Sequence, residues 1–157
     1  MDVMISIQPH WVIKILKGEK SIEVRKSAPT LQPPFRCFIY CTKKRPPADT
    51  FNGKVVGEFV CDEIIVVDCD SVNPFDARTL QYIDRETCLD RSAFWKYLKG
   101  KRGYGWHISD LVIYDRPKEL EEFSRVDYKH LPIQRWAVDR APQSWCYVEM
   151  EEKRERE

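Results

Sequence analysis

The 157-residue sequence lacks an excess of charge of either sign. It contains 26 Lys and Arg residues against 25 Asp and Glu residues, which gives a formal net charge of +1. A protein that binds nucleic acid through bulk positive charge is therefore excluded. Any nucleic-acid site must be a local patch whose affinity rests on few phosphate contacts.

Long apolar runs are also missing. No run approaches the roughly 20 residues that span a bilayer. The first residues do not combine a basic region with an apolar core, as a secretory signal peptide does. We therefore expect a cytoplasmic protein that makes no contact with a membrane.

The six cysteines form no C-x-x-C pair. Cys37 and Cys41 lie on a predicted strand, where a spacing of four residues corresponds to about 13 Å. That distance is too long to chelate one metal ion. The three histidines form no ligand pair either: they are His10, His107 and His130. We expect no metal, no cofactor and reduced thiols that pack as small hydrophobic side chains.

Neither repeats nor a linker divide the chain, so we predict one domain over residues 1–150 and a charged tail over residues 151–157. Alternating patterns predict strands at residues 1–7, 21–26, 35–42, 55–68, 104–114 and 145–150. Helical patterns cover residues 8–18, 73–83 and 90–100. We predict that Trp95 lies on the buried face of the helix at residues 90–100. We also predict that Val112 faces inward on the strand at residues 104–114, and that Arg116-Pro117 ends this strand. This pattern predicts an α+β, mostly β fold: a small barrel or curled sheet with flanking helices.

The sequence Gly-Glu-Lys-Ser-Ile-Glu-Val-Arg-Lys occupies residues 18–26. Alternation on the predicted strand places Ser21, Glu23 and Arg25 on one face. Lys20 and Arg25 suit an anion, because arginine offers a planar fork and lysine a movable charge. Glu23 either accepts a hydrogen bond from a base or orients Arg25. The segment is therefore either a binding site or a salt-bridged surface ladder.

Residues 18–25 resemble the G-x-K-x-x-E-x-R signature of the ASCH domain family, which belongs to the PUA-like superfamily. Further similarity lies in residues 8–11, 53–59, 103–108 and 142–147. The resemblance implies a bacterial or phage-type member with a PUA-like small mixed β-barrel, and a helix from Gln8 at one end. It also implies binding of RNA or a nucleotide, without fixing a reaction.

The predicted ligand-binding cleft is bordered by Lys20, Glu23 and Arg25. Stacking on an aromatic ring is worth about 1–3 kcal/mol per base. The candidate walls are three tryptophans and a histidine: Trp11, Trp106, Trp145 and His107. For any single aromatic residue, packing in the core remains the alternative.

One branch of the superfamily is an amidohydrolase that acts on acetylated cytidine. Lys20 matches its lysine, but the position of its threonine nucleophile holds Glu23. Ser21 is displaced from that position by roughly 7 Å, and the branch's glutamate corresponds to either Glu63 or Glu86. That activity is therefore not carried over, and Lys20 and Glu23 remain tentative catalytic residues.

Three hypotheses remain open for the function. The first is a module that binds RNA or a nucleotide near the signature. The second is a small amidohydrolase-like enzyme that acts on a modified nucleoside. The third is a phage or prophage accessory protein that contacts a protein partner.

Overall fold

A computed structural model describes residues 1–44, 52–67 and 77–151. Its strands are β1 (Asp2–Ile7), β2 (Ile22–Arg25), β3 (Phe35–Cys41), β4 (Lys54–Val67), β5 (Gly103–Lys118), β6 (Phe123–Asp127), β7 (Gln134–Ala137) and β8 (Trp145–Met150). Its helices are α1 (Pro9–Leu16), α2 (Ala77–Thr87) and α3 (Arg91–Leu98), with a 3₁₀ turn at Leu120–Glu122. None of the described helices has the length and apolar character needed to cross a membrane.

The eight strands form one mixed sheet in the order β2-β5-β4-β3-β1-β8-β6-β7. β1 pairs in parallel with β3, whereas it pairs with β8 in antiparallel orientation. The predicted α+β, mostly β fold is confirmed. Within the described residues the strand order does not return to β2, so closure of a barrel is not shown.

The chain divides into two compact units. The first comprises Met1–Val12, Arg36–Phe59 and Val112–Glu157, and the second comprises Ile13–Phe35 and Val60–Leu111. The first unit has a core that includes Met4, Phe38, Val55, Phe123 and Val148. The second has its own core of Val24, Val67, Ile83, Phe94 and Leu98. The candidate site described below lies in the second unit.

Local signals explain the helix ends. Pro9 opens α1, where its missing N–H costs little. Gly18 follows α1 with a φ of +73°, a conformation that favours glycine. Asp90 caps α3, because its carboxylate accepts a 2.7 Å hydrogen bond from the backbone N–H of Ala93.

Several sequence-based expectations are wrong. β5 continues through Pro117 to Lys118, because proline is tolerated near a strand end, where its missing N–H need not pair. Val112 and Trp95 are 50% and 40% exposed, although both were predicted to face inward. β6 was not predicted. The start of the helix predicted at residues 73–83 lies outside the described residues, and the described helix α2 covers Ala77–Thr87, beyond the predicted end at Ile83.

Candidate functional site

The signature segment forms β2, the first strand in the sheet order. β2 pairs with β5 in antiparallel orientation, and this register places Glu23 opposite Trp106 and Arg25 opposite Tyr104. On the other side, the backbone N–H of Ser21 donates a 3.0 Å hydrogen bond to the carbonyl of Glu86 in α2. β2 is therefore enclosed between a neighbouring strand and a helix.

Three ionisable side chains of this segment form a buried group, called here the motif network: Lys20, Glu23 and Arg25. Lys20 Nζ lies 3.3 Å from one carboxylate oxygen of Glu23, and Arg25 Nη2 lies 2.8 Å from the other. Lys20 Nζ also donates 2.7 Å hydrogen bonds to the carbonyls of Ile22 and Thr87. All three residues are less than one-tenth exposed.

The expectation that β2 is a strand with one exposed, charged face is wrong. All four residues of β2 are buried, so both of its faces are covered. Ion pairing and hydrogen bonds to main-chain carbonyls compensate the desolvation of the charges. The hydrogen bond from Lys20 to Thr87 also joins the signature segment to the end of α2.

A second polar group, called here the edge cluster, adjoins the start of β2: Ser21, Glu86, His107 and Asp62. The Ser21 hydroxyl donates a hydrogen bond to the Glu86 carboxylate. Hydrogen bonds from Ser21 and then Arg85 lower the pKa of Glu86, and the charge of His107 acts in the same direction. The hydrogen bond from Ser21 therefore favours the ionised form of Glu86.

The other half of the edge cluster is a histidine–carboxylate pair. His107 Nδ1 lies 2.6 Å from Asp62 Oδ1. This hydrogen bond is the main reason that the pKa of Asp62 is lowered. The His107 side chain is 28% exposed. The backbone N–H of Ile108 donates a 2.8 Å hydrogen bond to the carbonyl of Ser21, which brings the two halves together. The cluster thus offers a hydroxyl, an imidazole and two carboxylates within solvent reach.

Sequence reasoning missed Tyr97. Tyr97 is 39% exposed, and Lys26 Nζ lies 5.0 Å from the centroid of its ring. Burial of the hydroxyl raises the pKa of Tyr97, while Arg25 and Glu23 act on it in opposite directions. Tyr97 therefore shares the electrostatic surroundings of the motif network. The available signal was the position of an aromatic residue between Lys96 and Lys99.

The stacking role predicted for Trp106 is wrong for this structure. Trp106 is completely buried, and its ring meets Phe35 edge to face with a centroid distance of 5.8 Å and an interplanar angle of 81°. A ring without an exposed face cannot hold a base. Its contribution is to the core, which was the alternative weighed from the sequence.

Trp11 and Trp145 belong to the first compact unit, whereas the motif network and His107 belong to the second. The ring of Trp11 contacts His10 at a centroid distance of 4.4 Å, and that of Trp145 contacts Tyr147 at 5.4 Å. A role for these two tryptophans in ligand binding stays a prediction.

Three of the five cysteines among the described residues are buried, whereas Cys88 and Cys146 are partly exposed. Cys37, Cys41 and Cys61 are buried. Burial raises the pKa of Cys41 to about 11 and that of Cys61 to about 12. Cys69 lies outside the described residues. Across residues 1–44, 52–67 and 77–151, no three His, Cys, Asp or Glu side chains are placed to hold a metal ion together.

Solved structures share this fold. An ASCH protein from Zymomonas mobilis aligns with 94% of this chain and 87% of its own, at 20% identity and a TM-score of 0.65. Structures of a tyrosine-to-phenylalanine and a serine-to-alanine mutant of that protein each align with 96% of this chain at a TM-score of 0.66. The alignment includes 91% of the first mutant's chain and 89% of the second's. Their identities are 20% and 19%.

These similarities confirm the fold that the signature at residues 18–25 predicts, which is the fold of a solved ASCH structure. At about 20% identity the agreement concerns the fold. No family model matches the sequence, and no curated protein matches it. The chemistry of the site must therefore be argued from its own residues.

Proposed function

We propose that this chain is an ASCH-domain protein that binds RNA or a nucleotide at the edge of β2. One observation carries the proposal. The two cations Lys20 and Arg25 share the single carboxylate of Glu23 while all three are nearly buried. The three groups together have a formal charge of +1.

Energetics favour a function for this arrangement. Each buried charge is desolvated at a cost of several kcal/mol, and apolar residues of similar volume often serve stability equally well. Desolvated groups with specific charge partners concentrate at functional sites. Lys20 already donates to two carbonyls and pairs with Glu23, so Arg25, with its planar fork, is the cation of the network that complements a phosphate or a carboxylate. We therefore assign the motif network to anion recognition.

The rim of the network supplies a surface for a base. Tyr97 is 39% exposed, the charges of Arg25 and Glu23 act on its hydroxyl, and Lys26 Nζ lies 5.0 Å from its ring centroid. Ring faces bind bases by stacking regardless of sequence, and a neighbouring lysine attracts phosphate. Tyr97 thus takes the stacking role that sequence reasoning gave to Trp106. The similarity of residues 18–25 to the ASCH signature supports the same location.

Titration of a fluorescent mononucleotide tests this proposal. Tyr97→Ala is expected to weaken binding about tenfold, because stacking on one ring is worth about 1–3 kcal/mol. Tyr82→Ala is the matched control: Tyr82 is 40% exposed, and the Arg85 guanidinium lies 5.9 Å from its ring centroid. Equal affinities for the two variants would rule out the site at Tyr97.

A second candidate function is hydrolysis of a modified nucleoside. The hydrogen bond between Ser21 and Glu86 favours it, because a hydroxyl beside a carboxylate is the arrangement of an activated nucleophile. Lys20 matches the lysine of the acetylcytidine amidohydrolases in the resemblance, whereas Ser21 does not occupy the position of their threonine nucleophile. Incubation with acetylated cytidine, followed by chromatography, tests this function. Release of cytidine by the parent protein, with loss of that release in Ser21→Ala and Glu86→Gln, would support hydrolysis.

A further inference from the structure

Two segments of the second unit contain positive charge and no negative charge. Residues 91–109 include five Lys and Arg residues and no Asp or Glu. Residues 24–35 include two cations and again no acidic residue. In a chain whose overall net charge is only +1, this is the kind of local patch that a nucleic-acid site requires.

The pairing of β2 with β5 brings these two segments together. Arg25 lies opposite Tyr104; Lys26 is the residue that follows Arg25, and Gly103, the first residue of β5, is the residue that precedes Tyr104. Gly103 follows directly after Lys101 and Arg102. Lys26 also lies 5.0 Å from the ring centroid of Tyr97 in α3.

The end of α3 holds its lysines in a compact turn. Lys99 has a φ of +52°, and its backbone N–H donates a 2.8 Å hydrogen bond to the carbonyl of Trp95. The N–H of Lys101 donates a 3.0 Å hydrogen bond to the carbonyl of Leu98. We call the resulting exposed set the basic surface; its members are Lys26, Lys96, Tyr97, Lys99, Lys101 and Arg102.

We infer that the basic surface binds the backbone of a single-stranded polynucleotide. This inference rests on the proposed function and names its ligand class: a strand that reaches beyond one nucleotide. An exposed aromatic ring among cations that follow a surface is the pattern by which proteins bind single strands without sequence preference. One mononucleotide at Tyr97 would leave most of these cations unused.

Two other roles for the basic surface are stabilisation of helix α3 and binding to an anionic membrane. Lysines at a helix C-terminus complement the helix dipole, which contributes about 0.3–1 kcal/mol to stability and nothing to ligand binding. An anionic membrane also attracts lysines, but interfacial helices present a broad apolar face to the lipid. In α3 the apolar residues Phe94 and Leu98 are buried in the protein core, and the exposed Trp95 and Tyr97 are two residues apart, a spacing that does not place them on one face of a helix.

Fluorescence anisotropy tests the inference with three ligands: uridine monophosphate, an oligouridylate of about 4 nucleotides and one of about 16 nucleotides. These lengths span the site sizes of modules that bind single strands. Affinity is expected to rise with length and to fall with salt. The K96Q/K99Q/K101Q variant is expected to flatten the log–log salt slope by about 2, since each phosphate contact on a single strand contributes about 0.7. Affinity for the mononucleotide should not change.

The K17Q/K44Q/K129Q variant is the control, because it removes the same charge at three exposed lysines elsewhere. Equal salt slopes for the two triple variants would overturn the inference. It would also be overturned if the protein bound phosphatidylserine vesicles through these lysines and bound no oligonucleotide. Thermal melting shows whether either variant has lost its fold.

The same titrations separate this inference from the proposed function. If Tyr97→Ala leaves mononucleotide binding unchanged while K96Q/K99Q/K101Q weakens oligonucleotide binding, the proposed site fails and the basic surface stands. If mononucleotide binding depends on Tyr97 but affinity does not rise with length, the proposed site stands and the basic surface fails.

Discussion

The motif network and the Arg135–Glu149 pair use the same chemistry under opposite conditions. Arg135 makes two contacts with Glu149, of 2.7 and 3.0 Å, on side chains that are 49% and 41% exposed. In the motif network, Glu23 meets Lys20 and Arg25 through single contacts, on side chains at most 9% exposed. The exposed pair has the better geometry, whereas the buried group has the larger energetic consequence.

The comparison shows that a short ion-pair distance does not by itself give the contribution of the pair to stability, because burial decides it. An exposed pair contributes about 0–1 kcal/mol, because water screens it and two long side chains must be ordered. In a buried pair, loss of one partner leaves an uncompensated charge and costs about 3–5 kcal/mol. We infer that the chain keeps charges in the second unit for a reason other than stability.

The largest effect is expected for Glu23→Leu. This change leaves Lys20 and Arg25 close together without the carboxylate between them, and should lower the free energy of unfolding by about 3–5 kcal/mol. Urea denaturation measures the loss. Glu149→Leu, the exposed counterpart, should cost less than about 1 kcal/mol. Similar losses for both variants would remove the distinction between the two regions.

The next expectation concerns the triple variant K20M/E23L/R25M. It replaces all three buried ionised groups with apolar side chains of similar size, a change that is often neutral or stabilising. Its stability should therefore recover to within about 2 kcal/mol of the parent protein. Nucleotide binding should be lost. If the triple variant is as unstable as Glu23→Leu, the network serves the fold and its assignment to ligand binding is wrong.

Local patterns allowed much of this fold to be predicted. The alternation of residues 145–150, the proline at the start of α1 and the cap at Asp90 act within a few residues, so the sequence displays them directly. The signature at residues 18–25 supplied the fold type, which the solved ASCH structures share. β6 was missed, because its sequence Phe-Ser-Arg-Val-Asp lies next to a 3₁₀ turn and shows little alternation.

The candidate site was harder to predict, because burial depends on distant segments. Glu23 and Arg25 alternate with Ile22 and Val24 as on a half-exposed strand, yet all four are buried. The sequence does not reveal that α2 lies along this strand. For the same reason Trp106 could not be separated from Tyr97 as a stacking residue, although one is buried and the other exposed.

A smaller effect is expected in the edge cluster. Ser21→Ala removes the hydrogen bond that contributes most to the lowered pKa of Glu86, so this pKa should rise towards 4.5. A carboxylate with a lowered pKa in the folded state stabilises the protein above its unfolded-state pKa, and this contribution is lost as pH falls. The parent protein should therefore lose more stability on acidification than Ser21→Ala.

Carboxyl ¹³C NMR follows the titration of Glu86 directly. Asp127 provides an internal control, because its pKa is lowered mainly by the backbone N–H of Lys129 and then by His130, and neither contact involves Ser21. Its titration should be the same in both proteins. An unchanged Glu86 titration in Ser21→Ala would contradict the proposed hydrogen bond.

The smallest effect is expected for Arg135→Gln, and salt sharpens it. The loss of stability should be small at low salt and should shrink further near 1 M salt, where the Debye length is about 3 Å. The loss for Glu23→Leu should stay nearly constant over the same range, because salt screens buried charges far less than exposed ones. Urea denaturation at two salt concentrations measures both. An equally strong salt dependence for the two variants would mean that solvent reaches the motif network, and it would then have to be regarded as a surface ladder.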